Sequence, residues 1–151
     1  MDDTGPLLKD FLVETAHLGF VVADLDAAVK EAARLYGFAE SEVEFFPAKS
    51  EPAPTRFAFF TVAGMTFEYI QPADEHFSQL LFATPSGGAG INHIAWVVSD
   101  IYAAVSALAE RGIKPGYVTP DGVVNTGRKL MVYLDPATTG GQLIELIEEP
   151  S

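Results

Sequence analysis

Two stretches decide the fold, because they repeat each other in the two halves of the chain. Residues 17–37 read HLGFVVADLDAAVKEAARLYG, and residues 93–112 read HIAWVVSDIYAAVSALAERG. When the two are aligned on their histidines, a pair of valines coincides, and Asp24 falls on Asp100 at the same offset of 76 residues. A repeat of this kind predicts two copies of one supersecondary unit.

The two halves also end alike. Residues 67–72 read FEYIQP and residues 144–150 read IELIEEP, so Glu68 falls on Glu145. A histidine near the start of each half is therefore followed by a glutamate, 51 residues later in the first half and 52 in the second. One such pair can arise by chance, but two pairs in register with a matching segment indicate a duplication.

Each copy is predicted to be a β-α-β-β-β module. Runs rich in Val, Ile, Phe and Trp end at Asp24 and Asp100, whose carboxylates are good helix N-caps, and Gly37 and Gly112 stand where helix C-caps are expected. The predicted strands are 13–23, 42–47, 56–62 and 65–71 in one copy and 91–99, 116–119, 129–134 and 142–148 in the other, with helices at about 26–36 and 101–111.

A single domain, 1–151, is the predicted organisation. Module one spans about 13–72 and module two about 91–149, and the linker at about 73–90 begins with a short helical piece. The two modules are expected to share one sheet or barrel, which gives an α+β fold class.

The histidines and glutamates are predicted to lie on the sheet face away from the helices. Side chains alternate along a strand, so His17 shares a face with Gly19, while bulky neighbours take the other face. A lone strand histidine is more often a hydrogen-bonded core residue, and a lone glutamate ending a strand is more often solvated. Two of each in apolar strands instead fit a shared divalent cation, because isolated buried carboxylates are costly.

Composition restricts the function. The chain has 151 residues, no cysteine and a net charge of −12, which excludes thiolate chemistry and argues against nucleic acid as a partner. The acidic first residues do not resemble a signal peptide, and no apolar run is long enough for a membrane span. A cytoplasmic protein without a membrane partner is therefore expected.

The repeated segments resemble the vicinal oxygen chelate superfamily, which includes glyoxalase I, methylmalonyl-CoA epimerase, extradiol dioxygenases and antibiotic-resistance proteins. HLGFVVADLDAAV, FEYIQP, GINHIAWVVSDIYAAVSALAERGIKP and YLDPATTGGQLIELIE are most similar to the epimerases. The resemblance implies a curved mixed sheet or half-barrel around a metal site, and commonly a homodimer. It also implies one divalent ion (Co, Ni, Zn, Mn or Fe) held by His17, Glu68, His93 and Glu145.

The resemblance implies a metal-dependent epimerase or isomerase that removes a proton alpha to a carbonyl through a metal-stabilised enolate. Glu145 is the first candidate for the base and Glu68 the second. An acyl-CoA substrate needs cationic contacts, for which Arg128 and Lys129 are candidates. Some bacterial epimerases carry a further carboxylate on the strand before the Glu-or-Gln strand. That strand reads TRFAFFTVAG here and offers Arg56, a substrate contact or a solvated side chain, which puts a two-base reaction in doubt.

Three other functions are consistent with the same scaffold. A glyoxalase I-like lactoylglutathione lyase shares the His-Glu-His-Glu order, but AHLGFVVADLDAAV lacks basic residues for glutathione. An extradiol-type dioxygenase would use two histidines and one carboxylate, and a resistance-type protein would bind a small molecule without catalysis. A hydrophobic substrate portion is suggested by apolar residues assigned to the cavity, namely Phe45, Phe57, Phe59, Met131 and Tyr133.

Overall fold

The structure, a computed structural model, describes residues 5–49, 55–73 and 90–150. The predicted helical piece of the linker lies outside them. The described strands and helices are, in chain order, β1 (Leu12–Val21), α1 (Leu25–Tyr36), β2 (Glu44–Phe46), β3 (Arg56–Val62), β4 (Met65–Gln71), β5 (Gly90–Val98), α2 (Ile101–Ala109), β6 (Val124–Asn125), β7 (Leu130–Leu134) and β8 (Ile144–Glu148). No helix in these described ranges combines the length and apolar character needed to cross a membrane.

The chain forms two units, each with the same topology. The first unit is His17–Asn92, and the second unit combines Met1–Ala16 with His93–Ser151. The strand order is β2-β3-β4-β1 in the first and β5-β8-β7-β6 in the second. In both, the first strand runs parallel to the last and the remaining pairs are antiparallel. The predicted α+β class, with two β-α-β-β-β modules, is confirmed.

Both helices begin as the sequence predicts. The Asp24 carboxylate accepts a hydrogen bond from the Ala27 N–H (3.1 Å), and the Asp100 carboxylate accepts one from the Ala103 N–H (3.0 Å). Gly37 ends α1 in the left-handed conformation, φ 84°. The second helix is shorter than predicted, because its C-cap is Glu110 and Gly112 follows only after a further turn.

A second, repeated hydrogen bond joins each helix to the last strand of its module. The Leu25 N–H donates to Gln71 Oε1 (2.7 Å), and the Ile101 N–H donates to Glu148 Oε1 (2.8 Å). Each acceptor lies three residues after the glutamate that closes its half. The N–H groups of the first helical turn have no partner within the helix, so these side chains satisfy them and hold the helix start against the sheet.

Each helix covers an apolar core on one face of its own strands. Buried Leu25, Val29 and Ala32 of α1 pack with Ala58 and Phe60 of β3 in the first unit. The second unit has an equivalent core, formed by Val98, Ile101, Ala104, Leu108, Val132, Leu134 and Leu146, against which Trp96 also packs. The opposite face of the strands is left for the histidines and glutamates.

The prediction that Phe45 lines the cavity is wrong. Phe45 pairs in register with Ala58 and packs against the core under α1, so it lies on the helix face of the sheet. The prediction failed because β2 is apolar at consecutive positions, and such a strand gives no clear indication of which face is which.

The predicted strand at 116–119 is also wrong. The segment is a turn in which the Thr119 N–H donates to the Gly116 carbonyl (3.0 Å) and Tyr117 takes a positive φ of 53°. The short strand of this module is β6, which pairs with the start of β7 through Val124 and Met131.

Candidate metal centre

The first unit brings His17 and Glu68 together. Parallel pairing of β1 with β4 sets Gly19 opposite Glu68, and His17 lies two residues earlier on the same face. His17 Nε2 lies 3.3 Å from Glu68 Oε1, and the two residues are only 5% and 6% exposed. Phe59 pairs in register with Glu68, and its ring lies edge-on to the imidazole with centroids 6.4 Å apart.

The second unit repeats this arrangement with His93 and Glu145. Ala95 of β5 lies opposite Glu145 of β8, and His93 Nε2 is 3.4 Å from Glu145 Oε1. These residues are 2% and 3% exposed. Tyr133 takes the place of Phe59, since it pairs in register with Glu145 and its ring lies edge-on to His93 with centroids 5.4 Å apart.

The separations of 3.3 Å and 3.4 Å lie within ion-pair distance and also fit a second interpretation, two ligands of one ion. A charge-assisted hydrogen bond between imidazolium and carboxylate is shorter, about 2.7–2.9 Å. Two ligand atoms bound about 2.1 Å from one ion at angles of 90–109° lie about 3.0–3.4 Å apart. Both pairs therefore have the spacing of neighbouring ligands of a divalent cation, and each supplies one imidazole nitrogen and one carboxylate oxygen.

The basic residues predicted to contact substrate lie at strand ends. Arg56 opens β3 in phase with Ala58, on the face opposite Phe57 and Phe59, and its guanidinium donates to the Lys49 carbonyl (3.4 Å). This register does not bring Arg56 to the His17–Glu68 pair.

Arg128 and Lys129 lie in the turn between β6 and β7. The N–H groups of both donate to Thr126 Oγ1, at 3.3 Å and 3.2 Å. Arg128 is exposed, and half-buried Lys129 precedes β7 in phase with Met131 and Tyr133, which share the face of Glu145. This turn therefore offers two cations close to the strand that carries Tyr133.

Glu44 is a candidate that the sequence analysis missed. It pairs in register with Phe59, which pairs with Glu68, so the three lie in one row across β2, β3 and β4 on the same face. At about 4.8 Å per strand, the Glu44 backbone lies about 10 Å from that of Glu68. Glu44 is the exposed first residue of β2, and only the pairing of β2 with β3 relates it to Glu68.

A cavity lies beside Glu44 and Phe59 in the first unit, and its lining also includes Phe38, Glu42 and Phe60. Its volume is about 490 Å³, within the size range of small-molecule sites. Its lining includes Glu44, Phe59, Thr61 and Thr66, which alternate onto the Glu68 face of their strands.

Comparisons with known proteins agree with this fold. A sequence model of the Glyoxalase/Bleomycin resistance protein/Dioxygenase superfamily matches residues 16–132, a range that includes His17, Glu68 and His93 and ends before Glu145. Comparison with curated protein sequences gives no match.

Solved structures with the same fold include methylmalonyl-CoA epimerase from Mycobacterium tuberculosis, with a TM-score of 0.67 and 22% identity over 100% of this chain and 94% of that one. A hypothetical protein from Bacillus halodurans has a TM-score of 0.67 and 19% identity over 91% of this chain and 95% of that one. A variant of Streptomyces coelicolor methylmalonyl-CoA epimerase in complex with 2-nitronate-propionyl-CoA has a TM-score of 0.66 and 24% identity over 93% and 99%. At such identities the likeness shows the fold alone.

Proposed function

The chain belongs to the Glyoxalase/Bleomycin resistance protein/Dioxygenase superfamily, and from this membership we propose that it is a metal-dependent epimerase or isomerase of the methylmalonyl-CoA epimerase type. The observation that carries the proposal is the repeated pair, a buried imidazole with its Nε2 3.3–3.4 Å from a buried carboxylate oxygen in each unit. The choice within the superfamily follows the similar solved structures, which include methylmalonyl-CoA epimerases.

In this proposal His17, Glu68, His93 and Glu145 together hold one divalent cation. Two carboxylates balance its charge, and neutral imidazoles supply the remaining protein ligands. The chain has no cysteine, so the ligand set is nitrogen and oxygen only, which suits Co, Ni, Zn, Mn or Fe.

The proposed reaction is removal and return of a proton alpha to a carbonyl. When bound, the cation would supply Lewis-acid stabilisation of the negative charge that develops on the substrate oxygen. Glu145 takes the proton from the substrate carbon onto a carboxylate oxygen, and inversion requires a proton to return on the other face. Glu68 and Glu44 are the candidates for that second role, since both carboxylates lie on the site face of the first unit.

An acyl-CoA ester is the proposed substrate class. The chain carries a net charge of −12, so an anionic substrate needs local cations to bind. Arg128 and Lys129 supply them at the start of β7, and Phe59 and Met131 offer apolar contacts on the face of the glutamates. A homodimer and a cytoplasmic location belong to the same proposal.

A lactoylglutathione lyase is the second candidate function, because each unit contributes one imidazole and one carboxylate. An extradiol dioxygenase, which would use a single carboxylate, and a non-catalytic binding protein fit these pairs less well.

The test is deuterium uptake from heavy water into 2-methyl-acyl-CoA esters by the metal-loaded protein. Exchange is expected only with bound metal, and Glu145→Gln should lower its rate at least 100-fold, since it removes the base. The matched control is Glu148→Gln on the same strand, which copies the native Gln71 hydrogen bond of the first unit and should keep the wild-type rate. Uptake that persists without metal, or turnover of glutathione hemithioacetals in place of exchange, would contradict the epimerase proposal.

A further inference from the structure

The turn that replaces the predicted strand at 116–119 holds one residue of β7 in place. The Tyr133 N–H donates to Thr119 Oγ1 (2.8 Å), and the Tyr133 carbonyl accepts from the Gly116 N–H (3.0 Å). Thr119 Oγ1 also lies 3.1 Å from that carbonyl, and Thr119 is only 2% exposed. The Thr119 hydroxyl therefore accepts from the Tyr133 N–H, and its single proton lies within reach of both the Tyr133 and the Gly116 carbonyls, at 3.1 Å and 3.2 Å.

The approach of the turn to β7 is close. A Cβ on Gly116 would lie 2.6 Å from the Asp135 Cβ, a distance at which something must shift. The Asp135 N–H also donates to the Lys114 carbonyl (2.8 Å). Because residue 116 is glycine, the turn can pack closely against the end of β7, and this places Thr119 next to Tyr133.

Tyr133 in turn contacts the second His–Glu pair. It lies opposite Glu145 in the register of β7 and β8, its ring is edge-on to the His93 imidazole at 5.4 Å, and it is 3% exposed. Edge-to-face packing of this kind limits the orientation of both rings. A shift of the Tyr133 backbone would therefore move a wall of the His93–Glu145 pair.

The first unit provides an internal comparison. Phe59 packs edge-on to His17 and lies opposite Glu68 as Tyr133 does, but its outer edge is covered by a strand, since Glu44 of β2 pairs with it. In the second unit β6 reaches only Leu130 and Met131, two residues short of Tyr133. In the second unit Thr119 covers the outer edge of β7 at Tyr133, as β2 covers the outer edge of β3 at Phe59.

We propose that Thr119 is a positioning residue that acts through Tyr133 to set the orientation of His93 and hence the affinity of the second pair for metal. The effect on metal affinity rests on the proposed function, but the positioning of His93 by Tyr133 is a property of the metal-free protein.

The experiment uses a graded series at position 119. Valine keeps the shape of threonine and removes the hydroxyl, serine keeps the hydroxyl, and cysteine keeps only a weak hydrogen-bonding group. The first readout is the chemical shift of the His93 ring protons in the metal-free protein, assigned with His93→Gln. The ring current of Tyr133 affects these shifts, so they report the relative orientation of the two rings. Thr119→Val should move these shifts, Thr119→Ser should keep them, and Thr119→Cys should fall between, which preserves the comparison even where the valine variant fails to fold.

The second readout is the Co(II) dissociation constant and visible spectrum. Thr119→Val should weaken Co(II) binding about tenfold, at the lower end of the effect of residues that orient ligands, and Thr119→Ser should restore it. Thr55→Val is the matched control, since buried Thr55 also bonds a backbone group, accepting from the Ala73 N–H (3.1 Å). It should lose stability but leave the His93 shifts and the Co(II) spectrum unchanged.

The inference is overturned if Thr119→Val leaves the His93 shifts at their wild-type values, or if Thr55→Val moves them equally. Failure of the wild-type protein to bind Co(II) would contradict the proposed metal function, and the positioning role would then be decided by the shifts alone.

Discussion

At the scale of single residues, the site depends on a carboxylate and an imidazole held in apolar surroundings at ligand spacing. Neither Glu68 nor Glu145 is more than 6% exposed. Charge in such a position is unfavourable without a counterion, and the two oxygens lie 3.3 Å and 3.4 Å from imidazole nitrogens, which is within ion-pair distance and is also the spacing of two ligands of one ion. These observations support the proposal that the His–Glu pairs hold a cation.

The stability of the Glu145→Gln variant, compared with that of the wild type with and without metal, tests this proposal. The metal-free variant should be as stable as the wild type or more stable, because glutamine keeps the shape and removes a buried charge. In the metal-loaded state it should be less stable than the wild type, because a ligand charge is lost. Urea unfolding with and without chelator measures both. If the His93–Glu145 pair is instead a buried ion pair, the metal-free variant should lose about 3–5 kcal/mol.

The sequence singles out the His and Glu positions because the duplication repeats them in register. It did not indicate Glu44 or the correct face for Arg56, since both depend on which strands are neighbours. The row from Glu44 through Phe59 to Glu68 follows from strand pairing alone. The amino-acid pattern of a single strand carries no information about such a row.

At the scale of secondary structure elements, each helix is fixed by two side-chain caps at its start. Asp24 and Gln71 serve α1, and Asp100 and Glu148 serve α2. The aspartates are predictable as local N-caps, whereas the second cap comes from a strand 46 or 47 residues away. In the sequence, the second cap is indicated only by the repeat, which places Gln71 and Glu148 three residues after the paired glutamates.

Removing the long-range caps should destabilise the protein without affecting metal binding. Gln71→Ala and Glu148→Ala should each cost about 1–2 kcal/mol of unfolding free energy, since each leaves a helix N–H without its partner. Glu148→Gln should cost under 1 kcal/mol, because the amide oxygen can accept the same bond. Urea denaturation gives the energies, and an unchanged Co(II) affinity is the control. A Glu148→Ala variant as stable as the wild type would show that this bond does not hold α2.

The turn at Gly116 to Thr119 has a structure that its residue types do not predict. Residues 116–119 read GYVT, and their β-branched composition is typical of a strand. The Thr119 hydroxyl, rather than the backbone of a neighbouring strand, accepts the hydrogen bond from the Tyr133 N–H. A side-chain hydrogen bond of this kind does not change the hydrophobic periodicity of the sequence.

At the scale of the whole molecule, the duplication explains why two half-sites exist. Each unit carries its own parallel pairing of first and last strand, its own helix and core, and its own His–Glu pair. One pair supplies two protein ligands, whereas a tightly held divalent ion generally takes at least three. The proposed function therefore requires both half-sites to serve a single cation.

The stoichiometry of metal binding shows whether the two half-sites share one ion. Titration of metal-free protein with Co(II) or Zn(II) in a calorimeter should give one ion per chain, and both His17→Ala and His93→Ala should weaken binding by at least 100-fold, although the two residues belong to different units. Two ions per chain, or one ion whose affinity responds to only one of the two substitutions, would show that the half-sites do not share a cation.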